Sequence, residues 1–293
     1  MRKVRGTKFV MNKQQNLIYA FSNNTIYQYH FPDFFLINKI AVYPNISEII
    51  LSEDEKKLAI LNTEGKMAFL DLKDWLILWK DKKKHREGNL LTFTENDTKI
   101  IHADWDGQIM EFDLKTQQYD ILYDFKNKSL KRFIRVSFDR YHNALVGISE
   151  YEPELYISKL SPIHFQKVNL KTFRGILEGE DRELTLGPHY YVSLRWNGSY
   201  DHVILFNKME TLNVAQLPKN KLGMYIYISD DGEYLVVKAT ELLTKDLVIV
   251  YHVPDMRIVK KIYLDYVCMV KILQDNKVLL LGTWNGIFQE KLI

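Results

Sequence analysis

The chain has 293 residues, of which 46% are hydrophobic and 26% charged, and its formal net charge at pH 7 is +3. A chain of this length and apolar content can bury a sizeable core, which excludes a disordered or fibrous protein. The net charge is too small to indicate a nucleic-acid-binding protein by itself.

The cysteine and the hydropathy pattern bear on the compartment. Cys268 is the single cysteine, so the chain forms no intrachain disulfide, and a reducing compartment is favoured. The basic start, Met1 to Gly6, is not followed by the apolar run of a signal peptide, and no stretch of about 18 apolar residues occurs without a charge. We therefore expect a cytoplasmic protein that does not cross a membrane.

A repeat of strand hairpins extends along the whole chain. Aromatic and β-branched residues recur in short runs bounded by polar residues, which predicts strands rather than helices. The hairpins are spaced by 41 to 47 residues and open at Leu17, Leu58, Ile100, Ala144, Tyr191, Leu235 and Val278. A four-stranded propeller blade has this length. The repeat predicts an all-β fold, a seven-bladed β-propeller of four-stranded antiparallel blades in a single domain of residues 1–293.

In chain order, each blade begins after a loop and turns on polar clusters. The predicted blades span residues 7–43, 46–84, 89–125, 131–171, 182–218, 223–265 and 267–293, the last completed by residues 1–5. In the first blade the predicted strands are Lys8–Asn12, Leu17–Ser22, Thr25–Phe31 and Phe35–Val42. The third blade contains the clearest hairpin, which turns at Asp106-Gly107 because this pair supplies the positive backbone dihedrals of a two-residue turn.

Two blades leave questions of strand assignment. In the fifth blade, residues 173–177 or residues 183–186 could form the innermost strand, and we favour 183–186 because Gly187-Pro188-His189 then forms a short turn. The segment from Lys171 to Asp181 becomes a long loop. The seventh blade supplies three strands, so we expect residues 1–5 to add its outer strand and close the ring without an open edge.

The third blade resembles the WD-repeat family. In the segment from Asp104 to Thr116, the Asp-Gly turn is followed by an apolar strand, and Phe112-Asp113 stands where the family has Trp-Asp. Leu70-Asp71 occupies the corresponding place in the second blade. The resemblance implies a degenerate WD-repeat-like propeller. The family's Gly-His dipeptide is absent from the sequence, so its hydrogen-bond network is not carried over.

No motif for catalysis or metal binding stands out. The eight histidines show no recurring short spacing, and no Gly-x-Ser-x-Gly elbow, P-loop or Gly-x-Gly-x-x-Gly is present. We expect no catalytic residues, no metal and no cofactor. An enzyme or small-molecule binder that uses the central channel is kept as an alternative.

Aromatic and acidic residues concentrate in the turns between second and third strands. These turns emerge on the same face as the connections between blades, and exposed Trp and Tyr are typical of binding surfaces. Our leading hypothesis is a non-catalytic scaffold that binds a protein or peptide through this face. The proposed binding residues are Trp105, Asp106, Tyr151, Trp196, Tyr200 and Trp284.

Two connections between blades are basic and give a further alternative. Such runs usually form solvated loops, but neighbouring basic runs can also bind an anion or a nucleic-acid backbone. Nearby carboxylates would repel phosphate, so this alternative ranks below the scaffold. Its residues are Lys82, Lys83, Lys84, Arg86, Lys128, Lys131 and Arg132.

Overall fold

A computed structural model shows a chain built from strands. It describes residues 3–81, 88–94, 96–104, 108–124, 133–139, 141–149, 155–160, 162–167, 180–196, 201–206, 211–218, 221–240, 245–253, 255–273 and 277–292. In these ranges no helix is formed, and hence none with the length and hydropathy of a membrane crossing. The residues group into two compact units: unit 1 has residues 1–132 and 281–289, and unit 2 has residues 133–280 and 290–293.

Unit 1 contains three complete antiparallel sheets, each with its strands in sequence order. Sheet 1 comprises β1 (Lys8–Met11), β2 (Leu17–Ser22), β3 (Thr25–His30) and β4 (Phe35–Ala41). Sheet 2 comprises β5 (Ile46–Leu51), β6 (Lys57–Asn62), β7 (Met67–Asp71) and β8 (Leu76–Lys80). Sheet 3 comprises β9 (Gly88–Thr94), β10 (Lys99–Asp104), β11 (Ile109–Asp113) and β12 (Gln118–Tyr123).

Unit 2 repeats the same arrangement. Sheet 4 comprises β13 (Phe133–Asp139), β14 (Ala144–Ser149), β15 (Leu155–Lys159) and β16 (Gln166–Lys167). Sheet 5 comprises β17 (Glu180–Leu186), β18 (Tyr191–Trp196), β19 (Asp201–Phe206) and β20 (Thr211–Gln216). Sheet 6 comprises β21 (Leu222–Ile228), β22 (Tyr234–Thr240), β23 (Asp246–His252) and β24 (Arg257–Leu264). The last sheet has three strands, β25 (Val267–Leu273), β26 (Val278–Thr283) and β27 (Gly286–Lys291), and its residues 281–289 belong to unit 1.

The position of a strand in its sheet explains its composition. Second and third strands are covered on both faces, so they read as nearly continuous apolar runs, such as the fully buried Ala144–Ser149. Fourth strands alternate between half-buried and exposed residues, as in Leu76–Lys80. Consecutive sheets within a unit pack through apolar side chains. Between sheets 2 and 3, Phe69 and Phe112 stack with ring centroids 5.3 Å apart.

A buried polar residue precedes most of the described turns between first and second strands and caps several of them, although the Thr94 hydroxyl makes no hydrogen bond with the described residues. In five sheets the last residue before the turn is a buried polar residue: Asn12, Ser52, Thr94, Asp139 and Ser229. The Asn12 carboxamide oxygen accepts hydrogen bonds from the amides of Asn16 and Leu17 at 3.0 and 2.9 Å. The hydroxyl of Ser52 accepts one from the Lys57 amide at 2.9 Å. We call the end of each sheet that carries these turns the capped end.

Turns between third and fourth strands lie at the same capped end. The Asp71 carboxylate accepts hydrogen bonds from the amides of Lys73 and Asp74 at 2.9 and 2.8 Å. Asp113 accepts equivalent bonds from the amides of Lys115 and Thr116. Both aspartates end the third strand, as the resemblance to Trp-Asp implies, and here they cap a turn.

Five of the described fourth strands contain a β-bulge. In each, the register against the third strand skips one residue, and the skipped residue is aliphatic. These residues are Ile37, Leu78, Leu122, Leu212 and Val259. The outer edges of these sheets are therefore irregular, and their backbone groups do not form a continuous template for another strand.

The fifth sheet and the N-terminal segment decide two predictions. The first strand of sheet 5 is Glu180–Leu186, which confirms residues 183–186 as the innermost strand; it also shows that Glu180 and Asp181 belong to the strand and not to the predicted loop. Residues 173–177 lie outside the described residues. At the N-terminus, Val4 pairs with Ile287 of β27 in an antiparallel bridge, so the segment lies against the last sheet as expected, and residues 1 and 2 of the predicted strand lie outside the described residues.

Candidate functional site

Five loop segments of unit 1 meet at the end of the sheets opposite the capped end. They are the N-terminal segment, the turns between second and third strands of two sheets, the link between sheets 1 and 2, and the turn before β27. Their ranges are 3–7, 22–25, 42–47, 62–66 and 283–286. We call this surface the loop strip.

Backbone hydrogen bonds fix the N-terminal segment between β27 and β2. Val4 donates to the carbonyl of Ile287 at 3.0 Å, and the Ile287 amide donates back at 2.8 Å. The Thr7 amide donates to the Phe21 carbonyl at 2.9 Å. Gly6 has a φ of +143°, and a Cβ there would lie 2.6 Å from the Ile287 Cδ1 atom. Glycine is required because the segment passes too close to β27 for a side chain.

Similar bonds join the remaining segments of the strip. The Asn24 carbonyl accepts from the Val42 amide and the Asn23 carbonyl accepts from the Ile46 amide, both at 2.8 Å. The Thr63 amide donates to the Asn45 carbonyl at 3.0 Å. The strip is therefore a continuous hydrogen-bonded surface rather than a set of independent loops.

Trp284 is the most exposed large apolar side chain of the strip. Its indole is 68% exposed on the turn between β26 and β27. The Thr283 hydroxyl donates to the Gly286 carbonyl at 2.9 Å and accepts from the Asn285 amide at 3.2 Å, which fixes the turn. A rigid turn that presents an exposed indole has the geometry of a binding hot spot.

Positive charge lies next to this indole. Lys3 and Arg5 are exposed on the N-terminal segment, and the Lys3 ammonium lies 5.3 Å from the centroid of the Phe288 ring. The exposed Lys8 follows, and its ammonium donates to the Ser47 carbonyl at 3.1 Å. These contacts hold the side chains of Lys3 and Lys8, and the exposed Arg5 lies between them in the sequence.

Tyr29 supports the N-terminal segment from below. Its hydroxyl donates to the Arg5 carbonyl at 3.1 Å, and its side chain is buried. Burial, together with the nearby Tyr27, raises the pKa of Tyr29 to about 12. The hydroxyl therefore keeps its proton, and this hydrogen bond persists, across the physiological pH range.

A buried polar network lies under the middle of the strip. The Tyr119 hydroxyl donates to the Asp81 carboxylate at 2.8 Å, while the Tyr43 hydroxyl lies 2.6 Å from the Asp81 carbonyl. The Lys80 ammonium sits 4.4 Å from the centroid of the Tyr43 ring and donates to the Val42 carbonyl at 2.6 Å. Burial and the neighbouring Asp81 raise the pKa values of Tyr43 and Tyr119. The network joins the strip to the core, because the hydroxyls of Tyr43, in the strip, and of Tyr119, on β12, both bond to Asp81 directly after β8.

The structure describes two of the six aromatic and acidic residues proposed from the sequence. Trp284 is exposed in unit 1, and Trp196 is half-buried as the last residue of β18 in unit 2. The others, Trp105, Asp106, Tyr151 and Tyr200, lie outside the described residues. So do all the residues of the basic alternative: Lys82, Lys83, Lys84, Arg86, Lys128, Lys131 and Arg132.

Histidine–aspartate pairs at the capped end were missed by the sequence reasoning. The Nδ1 atom of His30 lies 3.0 Å from Asp33, and that of His252 lies 2.9 Å from Asp255. The signal was a repeated Tyr-His-x-Pro-Asp, beginning at Tyr29 and at Tyr251, at the end of a third strand. Each aspartate also accepts a backbone amide of the following turn, so the pair acts as a turn cap.

A third pair, in unit 2, has a completely buried carboxylate. Asp139 lies 2.6 Å from the Nδ1 atom of His142 and accepts the Tyr191 hydroxyl at 2.9 Å. It also accepts the amides of Tyr141 and His142 at 3.0 and 3.1 Å. Burial and the adjacent Asp139 raise the pKa of Tyr191. Across the described ranges, no three His, Cys, Asp or Glu side chains converge as metal ligands would.

Sequence comparisons and structural comparisons give different results for this chain. No family model and no curated protein sequence matches it. The Cps50 (Swd1) β-propeller domain of Myceliophteria thermophila matches with a TM-score of 0.76 and 12% identity, over 99% of this chain and 96% of that one. The WD40 repeats of RRP9 match with a TM-score of 0.73 and 11% identity, over 96% of this chain and 89% of that one.

An enzyme also has this fold. Hydrazine synthase from Kuenenia stuttgartiensis matches with a TM-score of 0.72 and 10% identity, over 98% of this chain and 95% of that one. Propellers support many activities, so these similarities establish the fold only. The function has to be argued from the residues of the candidate site. The chain has the fold of a seven-bladed β-propeller similar to WD40-repeat domains, as its repeat predicted.

Proposed function

We propose that this chain is a non-catalytic module that binds a protein or peptide through the loop strip and the adjoining loops at the same end of its sheets. The observation that supports the proposal is Trp284, an indole that is 68% exposed on a turn held by side-chain and backbone hydrogen bonds. An apolar side chain of this size in water is unfavourable, and a partner that covers it gains hydrophobic free energy without having to order the turn.

The proposal extends to the other aromatic residues predicted from the sequence. Trp105, Tyr151 and Tyr200 belong to predicted turns between second and third strands, as Trp284 does, and Trp196 ends β18 directly before such a turn. Aromatic side chains at such turns are typical of contacts with a partner protein. We also place the module in the cytoplasm, since its single cysteine is suited to a reducing compartment.

The test compares two exposed aromatic residues of unit 1 that differ in location. Trp284→Ala removes the indole of the loop strip, whereas Phe35→Ala removes a ring that is 63% exposed on the outer strand β4. Each tagged variant and the unaltered chain are used to capture proteins from a lysate, and captured proteins are quantified by mass spectrometry. We expect a defined set of partners to be lost with Trp284→Ala and retained with Phe35→Ala.

Two outcomes would contradict the proposal. The same partners could be captured by both variants, or both variants could lose the same partners to the same extent. Either result would show that the indole of Trp284 does not direct binding. Circular dichroism and thermal unfolding of each variant establish that the fold is retained.

A further inference from the structure

We infer that the loop strip binds an extended acidic peptide segment, with Trp284 contacting an apolar side chain of the segment and Lys3, Arg5 and Lys8 contacting its carboxylates. This inference rests on the proposed function and adds the chemical class of the partner.

The charge of the strip around the indole has one sign. Four of the five segments of the strip, 3–7, 22–25, 42–47 and 283–286, contain Lys3 and Arg5 and no carboxylate, and the adjoining Lys8 adds a third cation. Lys3 and Arg5 lie on the N-terminal segment, which the Val4–Ile287 bridge holds against the strand that follows the Trp284 turn, and Lys8 begins β1 directly after it. Complementary charge speeds association and selects partners, so such a surface favours an acidic segment.

These cations keep their charge available in the described part of the chain. Lys3 contacts the face of an aromatic ring and Lys8 contacts a backbone carbonyl, neither of which neutralises an ammonium group. The next cation along the strip differs, because Lys66 forms an ion pair with Glu64 at 2.8 Å. The positive region therefore ends between sheets 1 and 2, where the charge of Lys66 is offset by Glu64 and the half-buried Glu48 adds negative charge.

The surface between these charges suits a peptide backbone. Asn23, Asn24 and Asn45 are exposed and uncharged, and their carboxamides both donate and accept hydrogen bonds. An extended chain has an amide and a carbonyl at each residue, which pair with such groups. The strip thus combines an apolar contact, polar contacts for a backbone, and cations along one edge.

Single-stranded nucleic acid is the less suitable ligand. Its binding sites combine several stacking aromatic residues with a basic groove. Among the described residues of the strip, Trp284 is the exposed aromatic, and the carboxylates of Glu48 and Glu64 limit the basic region to a few residues. A short acidic peptide matches the length of this basic region. A longer phosphate backbone would extend beyond it and be repelled by the neighbouring carboxylates.

The test measures fluorescence anisotropy with two labelled peptides of about eight residues, one alternating glutamate and leucine and one alternating lysine and leucine. We expect the glutamate peptide to bind the unaltered chain, the lysine peptide to bind at least about tenfold more weakly, and affinity for the glutamate peptide to fall as salt rises from about 50 to about 300 mM. Trp284→Ala should weaken the glutamate peptide by about tenfold or more.

Matched charge variants locate the site. Lys3→Glu combined with Arg5→Glu should weaken binding of the glutamate peptide by about tenfold or more, and Lys3→Gln with Arg5→Gln should weaken it less. The control combines Lys39→Glu with Lys73→Glu, two exposed lysines outside the strip, and should change binding by less than about twofold. The glutamine variant keeps the test valid if charge reversal disturbs the N-terminal bridge.

Several results would overturn the inference. They are no binding of the glutamate peptide, equal or tighter binding of the lysine peptide, an equal effect of the control variant, or displacement by oligo-thymidylate at lower concentration than by unlabelled peptide. Suppose that the unaltered chain still captures partners from a lysate that the Trp284→Ala variant loses. Any of these results would then rule out only the acidic peptide as the ligand, and the proposed function would stand. If capture is also independent of Trp284, the proposed function fails with it.

Discussion

The capped end of the sheets in unit 1 uses its polar groups to satisfy its own backbone. Asn12 and Ser52 cap their turns, and the carboxylate of Asp97 accepts the amides of Glu53 and Asp54 at 2.8 Å, joining the turns of sheets 2 and 3. At the opposite end, backbone hydrogen bonds and the buried Asn62 side chain, which donates to the Pro44 carbonyl at 3.3 Å, join segments of the loop strip. The strip nevertheless leaves Trp284, Lys3 and Arg5 exposed. One end is therefore dominated by side-chain caps, whereas the other exposes an indole and cations, which is why we propose it as the binding surface.

The largest expected effect concerns the most buried capping residue. Asp139→Ala removes the acceptor for two turn amides, the His142 ring and the Tyr191 hydroxyl, and we expect a loss of about 3–5 kcal/mol in the free energy of unfolding. Asp139→Asn is the control, because a carboxamide keeps one acceptor oxygen and should cost less. Urea unfolding measures both, and a loss below about 1 kcal/mol for alanine would show that capping is unimportant.

The next effect tests whether the loop strip depends on its closest backbone contact. Gly6→Ala places a methyl group 2.6 Å from Ile287 and 2.8 Å from the Ala20 Cβ atom, at a φ unsuited to alanine. We expect a loss of about 2 kcal/mol in the free energy of unfolding. Arg5→Ala, at the neighbouring exposed position, should leave stability nearly unchanged. Equal stability of the two variants in urea would contradict the close packing of this segment.

A smaller effect should appear at alkaline pH. The pKa of Tyr29 is raised from 10.0 in the unfolded chain to about 12 in the folded protein, so stability from this group is complete below pH 10. Between pH 10 and about 12 the unfolded state loses this proton first, and stability falls. Tyr29→Phe should therefore make the decline in urea-unfolding free energy less steep. An unchanged slope would show that burial of the Tyr29 hydroxyl does not raise its pKa.

The smallest expected change in stability belongs to the residue with the largest proposed effect on binding. Trp284→Ala truncates a side chain that is 68% exposed, so the free energy of unfolding should change by no more than about 0.5 kcal/mol. The measurement is again urea unfolding. A loss of about 2 kcal/mol or more would assign the indole to packing and remove the contrast between the two ends.

Most of the strand order follows from the sequence because hydrophobic runs and polar turns alternate at short range. The predicted strands of the first blade differ from the observed ones by one residue at most, as in Lys8–Asn12 against Lys8–Met11. The exposure of Trp284 also follows from its place in a turn. These features depend on residues that are close together in the sequence, so the pattern of apolar and polar residues is sufficient to predict them.

The composition of the site was harder to predict because it depends on contacts between distant residues. Lys8 reaches the carbonyl of Ser47, and Val4 reaches Ile287, so the N-terminal cations lie beside Trp284 only after folding. The Tyr-His-x-Pro-Asp repeat was available in the sequence, but a search limited to spacings between histidines could not detect it. A comparison of corresponding turns would have found it.

The bulges on the outer strands have a consequence for the protein at high concentration. Each inserts one aliphatic residue where a foreign strand would need regular spacing, as at Leu78, which is 55% exposed yet interrupts the pairing register. Fibril growth requires flat, uninterrupted edges that can be copied from molecule to molecule. The outer strands expose aliphatic residues, but their bulges interrupt the regular spacing that pairing between two molecules requires. We therefore expect these edges to resist the strand-to-strand association that leads to fibrils.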